Sequence, residues 1–347
     1  MKRRISILLI VCLLLGGCGT EGSGRGDVAA SAYRIPESEK LVIYTSHKEE
    51  VYGPIVKEFE ERTGIYVEVK QGATLGLFDE IAANAGNETC DVIFGGGIEN
   101  YVAYQDYLDA YRVSVEDAID ERYRTPNHKW TAFSVLPIVF IYNNKLVYPV
   151  GAPRTWEELQ TNKWKGKVAF ADPATSGSSY TALCTMIQAE GGEVDRVMND
   201  FSEVLAGHIS DSSGEVLDEV NSGERLVGIT LEETAWKRIS QGADLSIIYP
   251  AEGTSAVPDA TAVVQGAPHR ENARRFLDFT VSEDVQRLIS DTFFRQSVRS
   301  DVRLEKDTDR KADEIKLLDY DIVWAAECKD EILGKWEALQ EGQAHNR

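Results

Sequence analysis

Motifs of covalent and metal chemistry are missing from this chain. It contains no HExxH, GxSxG, S-x-x-K or Walker A sequence, which removes metalloprotease, serine-hydrolase and P-loop chemistry. Asp, His and Ser are present, but nothing orders them into a nucleophile–base pair, so no enzyme is indicated. Cysteine is scarce, at five in 347 residues. Cys90, Cys184 and Cys328 are widely separated and odd in number, which suits neither a disulfide framework nor a zinc site; they read as buried thiols. His128, His208, His269 and His345 lack metal-ligand spacing and read as surface residues. Positive charge is short as well: 37 Lys and Arg stand against 57 Asp and Glu, a formal net charge of -20. A surface that acidic repels nucleic acid and anionic lipid. It does not exclude an anionic ligand, because backbone N–H groups can make a site locally positive. After the first fifteen residues no apolar run approaches the roughly 20 residues of a membrane span.

What the chain does have begins at its start. Lys2, Arg3 and Arg4 precede an apolar run, Ile5 to Leu15, that is too short to cross a bilayer and reads as a signal peptide over 1–17. Leu15-Gly16-Gly17-Cys18 is similar to a bacterial lipobox, which makes Cys18 the expected lipidation site and mature N-terminus. Residues 18–36 then form the lipidated cysteine and a flexible tether, Gly-rich and polar from Gly19 to Asp27, with too little apolar surface to fold. The expected location is the outer face of the cytoplasmic membrane, or the periplasm of a two-membrane bacterium. The remaining chain is long enough for two domains, and its 43% apolar content is ample for their cores.

Strand and helix patterns alternate along that remainder. Leu41 to Tyr44 is a short apolar run ending in Thr45-Ser46-His47; a helical stretch with Val51, Ile55, Val56 and Phe59 on one face follows and stops at Gly64. Tyr66 to Val69 reads as a strand, Leu77 to Ala85 as a helix, and Asp91 to Phe94 as a buried strand running into Gly95-Gly96-Gly97. Further β-like runs are Val135 to Tyr142, Val168 to Ala171, Leu226 to Thr230 and Leu245 to Tyr249. Such alternation implies an α/β fold with parallel sheets and helices on both faces. Ligands in such folds bind beyond the C-terminal ends of the strands. Tyr101, Tyr104, Tyr107 and Tyr111 fall at helical spacing, which implies packing.

Four segments carry a family resemblance: KLVIYTSHKEEVYGPIVKEFEERTGIYVEV, ADPATSGSSYTAL, YPAEGTSAVPDATAVVQGAPHRENARRFLDFTVS and YDIVWAAECKDEILGKWEAL. Together they resemble the solute-binding proteins of ABC importers with type II periplasmic-binding-protein topology, in the branch that takes up ferric iron, 2-aminoethylphosphonate and sugar phosphates. The resemblance runs from about Lys40 to Leu339. It implies two lobes, each a mixed, mostly parallel sheet flanked by helices, joined by two hinge crossings. Lobe 1 is expected over 37–140 plus most of 250–347 with the C-terminal helices, and lobe 2 over 141–249, with crossings near Ile138 to Asn143 and Ile247 to Pro250. A monomer working with membrane permease subunits is implied, without a cofactor and with membrane contact only through the lipid anchor.

The strand ends suggest how such a cleft holds an anion. Ser46 and His47 stand where a helix begins; Thr74 lies in a small-residue loop before another helix. Ser176, Gly177, Ser178 and Ser179 open an apolar helix, and Ser212 and Ser213 precede a further one. Free N–H groups and the helix dipole favour negative charge at each, although Ser and Thr before a helix also serve as ordinary caps. The resemblance places these segments at ligand loops, sets Gly96 and Gly97 beside the ligand, and puts Thr230 and Glu232 at the cleft, where the carboxylate could receive an ammonium or hydroxyls. Iron-binding members use adjacent tyrosines in the second lobe; the comparable stretch here, Gly228 to Thr234, has none. The favoured ligand is therefore a small phosphorylated or phosphonate anion. Ferric iron, or a ligand-sensing lipoprotein serving a membrane receptor kinase, is the alternative.

Overall fold

The structure, a computed structural model, describes residues 35–302 and 315–345. The expected signal segment and Cys18 lie outside the described residues. Among the described residues ten strands are joined by hydrogen bonds, seven of them in one path and three pairing beside it. They are β1 (Lys40–Thr45), β2 (Tyr66–Gln71), β3 (Val92–Gly97), β4 (Leu108–Asp109), β5 (Thr131–Asn143), β6 (Val168–Ala169), β7 (Val227–Leu231), β8 (Leu245–Ile248), β9 (Ala256–Val264) and β10 (Gln296–Ser297). The main order is β2-β1-β3-β9-β5-β7-β6, with β4, β8 and β10 pairing beside it.

The long strand β5 divides the path. Its first half, Thr131 to Pro137, pairs with β9, and its second half, Ile138 to Asn143, pairs with β7 and β8. The chain therefore passes from one sheet to the next at Pro137/Ile138 and comes back between Ile248 and Ala256. Proline suits that point, because it has no N–H to give to a ladder. The sheets are mixed, but the expectation of mostly parallel pairing is corrected. Only β1–β2, β1–β3 and β6–β7 are parallel, while β5 and β9 run antiparallel to every strand they meet. Buried on both faces, these two strands show continuous apolar runs, which periodicity cannot distinguish from parallel strands.

Helices cover both faces. Helix α1 (Glu49–Thr63) buries Val51, Ile55, Val56 and Phe59 and ends at Gly64, whose φ of 72° supplies the left-handed C-cap. Each of those side chains removed from water contributes roughly 1.5–3 kcal/mol. The others are α2 (Thr74–Ala83), α3 (Ile98–Ala103), α4 (Trp156–Leu159), α5 (Gly177–Ala189), α6 (Val194–Leu205), α7 (Ser213–Ser222), α8 (Glu232–Ser240), α9 (Arg270–Thr280), α10 (Glu283–Phe293), α11 (Ile322–Glu327) and α12 (Lys329–His345). Helix α9 packs on β9 beside α1, with Phe276 against Phe59 and Phe94. The C-terminal helices divide between the two halves. Helix α11 lies on α3, whereas α12 lies on α6 and sends Trp336 against Phe170 and Phe201 in the core of the β6–β7 half.

Cys90 and Cys184 are buried as expected, while Cys328 is half exposed; all three are free thiols. Tyr101 is fully buried, which fits its reading as packing. His269 departs from the surface reading: its ring is 14% exposed and Nδ1 lies 2.8 Å from the buried carboxylate of Asp91. His128 and His208 are likewise held by Glu116 and Glu219.

Candidate functional site

Three consecutive glycines end β3. Between Phe94 and Gly97 the register with β9 shifts, so the triglycine is a bulge. Gly95 and Gly96 have φ of 95° and 90°, where a Cβ is strained. Their missing side chains are also filled by neighbours. A Cβ on Gly95 would stand 2.7 Å from the His47 ring; one on Gly96, 2.4 Å from Thr74; and one on Gly97, 2.5 Å from the Glu99 carboxylate. Tyr101 holds the bulge from beneath, its hydroxyl 2.9 Å from the Gly95 carbonyl and 2.6 Å from that of Ala260. The bulge is thus where the end of β1, the start of α2 and the start of α3 converge.

From there the site reaches the other half of the molecule. Glu99 Oε1 accepts a 3.1 Å hydrogen bond from Thr181 Oγ1 on α5 and a 3.2 Å bond from the Tyr320 hydroxyl. Burial pushes the Glu99 carboxyl above its ordinary range, more than those hydrogen bonds pull it down. One turn before Thr181 lies the serine cluster. Ser176 caps α5, its Oγ accepting from the Ser179 N–H, with the hydroxyls of Ser178 and Ser179 3.1 and 3.0 Å away. The N–H groups of Gly177 and Ser178 lie in the open first turn, with no preceding turn to take them.

His47 anchors a second polar group. Its ring is 5% exposed, edge-on to Phe94 at 4.6 Å, and Nε2 lies 3.3 Å from Asp259 Oδ2 without making a hydrogen bond to it. Asp259, on β9, accepts from Ser134 N and Oγ at 2.9 and 2.5 Å and from Arg295 Nη1 at 2.5 Å. Burial drives the His47 pKa down to about 3, Arg295 adding to the fall and Asp259 opposing it, so the imidazole is neutral. Arg295 is 8% exposed and its Nη2 lies 3.8 Å from Glu233. Its Nε and the Nε2 of His47 are buried without a hydrogen-bond partner.

The sequence-predicted residues therefore fall into two sets. Ser46, half-buried, and His47, Thr74, Gly96 and Gly97 gather at the bulge, and Ser176, Gly177, Ser178 and Ser179 face it through Glu99 and Thr181. Ser212 and Ser213 stand apart and exposed; Ser212 Oγ accepts from Glu215 N at 3.2 Å, which is an ordinary cap. Thr230 is buried and pairs with Val139 in the sheet. Glu232 is 1% exposed with both oxygens engaged, Oε1 by Tyr249 Oη at 2.5 Å and Oε2 by Gln296 Nε2 at 2.7 Å. Asp259, Arg295 and Glu99 were missed by sequence reasoning. Asp259 left a signal, a single carboxylate inside the apolar run Ala256–Val264; Arg295 and Glu99 left none. A separate cavity of about 850 Å³ opens beyond α3, among Ile98, Trp130, Val257, Leu318 and Tyr320, and none of the predicted residues lines it.

A family model for a bacterial extracellular solute-binding protein matches residues 90–323. The chain belongs to that family. It is 26% identical over 254 residues to a putative 2-aminoethylphosphonate-binding periplasmic protein of Salmonella typhimurium, covering 70% of this chain and 73% of that one. It is 24% identical over 325 residues to iron uptake protein A1 of Synechocystis, covering 88% and 89%. The fold is shared with the periplasmic binding protein AfuA of Actinobacillus pleuropneumoniae, solved with fructose-6-phosphate, at a TM-score of 0.76 and 24% identity over 87% of this chain and 98% of that one. The chain is thus a solute-binding protein of the periplasmic type that serves ABC importers.

Proposed function

We propose that this protein is the lipid-anchored solute receptor of an ABC importer and captures a small organic phosphate or phosphonate at the triglycine bulge. What supports the reading is two groups of donors on the elements that converge near the bulge. The first-turn N–H groups and hydroxyls of the Ser176–Ser179 cluster come from one half, and buried His47 and Arg295, each with a nitrogen lacking a hydrogen bond, from the other. A buried donor without a partner is costly, and an oxyanion would satisfy several at once. Iron is disfavoured by the same cluster: the guanidinium of Arg295 sits on the carboxylate nearest His47, and it would repel a ferric ion. The relatives are named for both kinds of ligand, so the donor chemistry carries the choice. Transport rather than sensing follows the family. Catalysis is not part of the reading.

The test is a titration of the parent and Ser178→Ala with 2-aminoethylphosphonate, sugar phosphates and ferric citrate. Losing one hydroxyl contact to a charged group is worth roughly 1.5–3 kcal/mol, or about 10- to 150-fold in affinity. A silent Ser178→Ala together with binding of ferric citrate alone would sink the anion reading.

A further inference from the structure

We propose that the edge formed by residues 144–167 docks this protein onto an anionic lipid surface. The described residues hold six large, exposed apolar side chains, and three of them, Leu146, Tyr148 and Val150, fall within five positions, at 57, 82 and 88% exposure. Such clustering is uncommon on a monomer and marks a contact surface. The loop is not loose: Val147 and Ala152, buried in the β6–β7 core beside Trp156, pin it on either side of the exposed tip. The outward side chains are therefore fixed while their neighbours face in.

The charge of this segment is the reverse of the chain's. Residues 144–167 carry five basic and two acidic side chains, a local net charge of +3 in a protein of -20. Lys145 is paired with Asp244 at 3.5 Å. Lys163 instead donates to the Gly151 carbonyl at 2.6 Å, which brings its ammonium beside Val150, and Lys167 donates to the Lys163 carbonyl at 2.9 Å. Among the described residues, Arg154, Lys163, Lys165 and Lys167 make no ion pair, so their charge is uncompensated. Tyrosine with aliphatic neighbours, with Lys163 beside them and further cations in the same segment, fits a headgroup layer, where the aromatic sits at the interface and lysine stems reach along it. Beyond a Debye length of roughly 8 Å the acidic remainder is screened, so repulsion at long range does not prevent contact at short range.

The experiment uses residues 36–347, which form a compact unit of their own. Co-sedimentation with phosphatidylcholine vesicles is compared with vesicles containing phosphatidylglycerol. The expected result is binding to the anionic vesicles only, weakened by added salt and reduced about tenfold or more by Tyr148→Ser with Val150→Ser and by Lys163→Glu with Lys165→Glu. All four sites are exposed, so melting temperatures should not move; if the serine pair unfolds, Lys165→Gln alone carries the test. No binding to anionic vesicles overturns the proposal, as does equal binding by parent and variants. If vesicle binding fails while the variants still lose uptake in cells, the patch faces a membrane protein and the lipid proposal is wrong.

Discussion

His47 and Asp259 lie 3.3 Å apart in the interior, yet the histidine is not the carboxylate's partner: Arg295 occupies that role at 2.5 Å. A buried imidazole beside a satisfied carboxylate and a guanidinium resists protonation, which is why its pKa falls to about 3. Unfolded, the same ring titrates near 6.5. Between those values the unfolded chain binds the extra proton. The His47 contribution to stability is therefore full above pH 6.5 and is lost as pH falls toward 3, at up to about 1.4 kcal/mol per pH unit. Urea unfolding at pH 7, 6, 5 and 4.5 should show that slope, and His47→Gln should flatten it. Parallel slopes in both proteins would show that His47 is not the titrating group.

The triglycine makes a sharper demand on the backbone. Gly96→Ala combines a positive φ with a Cβ 2.4 Å from Thr74, and the helix start at Thr74 cannot retreat without disturbing α2. The expected loss is about 2 kcal/mol or more, from left-handed strain and overpacking together. Gly86, with φ of 87° and open space around it, is the control, since Gly86→Ala carries the strain alone. Denaturant midpoints of equal size for the two variants would contradict the close approach.

Much of this was legible in the residues. The apolar runs, the stop at Gly64 and the small-residue loops before α2 and α5 gave the order of elements and the serine cluster, because caps and strands leave local signatures. The direction of β5 and β9 was not legible, since a strand buried on both faces reads the same either way. Nor was the His47–Asp259–Arg295 group, whose members are 36 residues or more apart and meet only through sheet pairing. Gly95-Gly96-Gly97 was visible, but what fills the space above it is decided by tertiary contact. Ser212 and Ser176 show why the pattern alone does not separate the two roles: a cap and an anion site share one sequence signature, and both serines cap a helix.

Glu99 offers a prediction of opposite sign to that of His47. Its carboxyl is raised by burial, so the folded state holds the proton more tightly than the unfolded chain. That contribution is present below the ordinary glutamate pKa and is lost as pH rises through the raised one. Glu99→Gln keeps an acceptor for Thr181 and Tyr320 but carries no charge. The variant should melt higher than the parent at pH 8, with the gap closing toward pH 4.5. A variant that melts lower at every pH would mean that the ionised carboxylate is needed there.

Acylation of Cys18 is tested by partition. With a lipid on Cys18 the exported protein should enter the detergent phase, and Cys18→Ser should leave it in the aqueous phase, because an acyl chain buries many methylenes at about 0.8 kcal/mol each. Equal partition of the two forms would rule the anchor out.

Glu232 decides how the two halves are held. Tyr249 follows β8 and Gln296 opens β10, so one carboxylate bonds residues on either side of the crossing. With both oxygens taken, it has little left for a ligand's ammonium or hydroxyls, and its replacement should act on the fold before it acts on selectivity. Glu232→Gln can turn its carbonyl to the Gln296 amide and its own amide to the Tyr249 hydroxyl, which also accepts; a small change in stability is expected. Glu232→Ala removes the acceptor shared by two half-buried donors, at roughly 0.5–1.5 kcal/mol each, and should lower the urea midpoint. If instead both variants keep parental stability while the preference between 2-aminoethylphosphonate and a sugar phosphate changes, Glu232 reads the ligand and its bonds to Tyr249 and Gln296 are exchanged on binding.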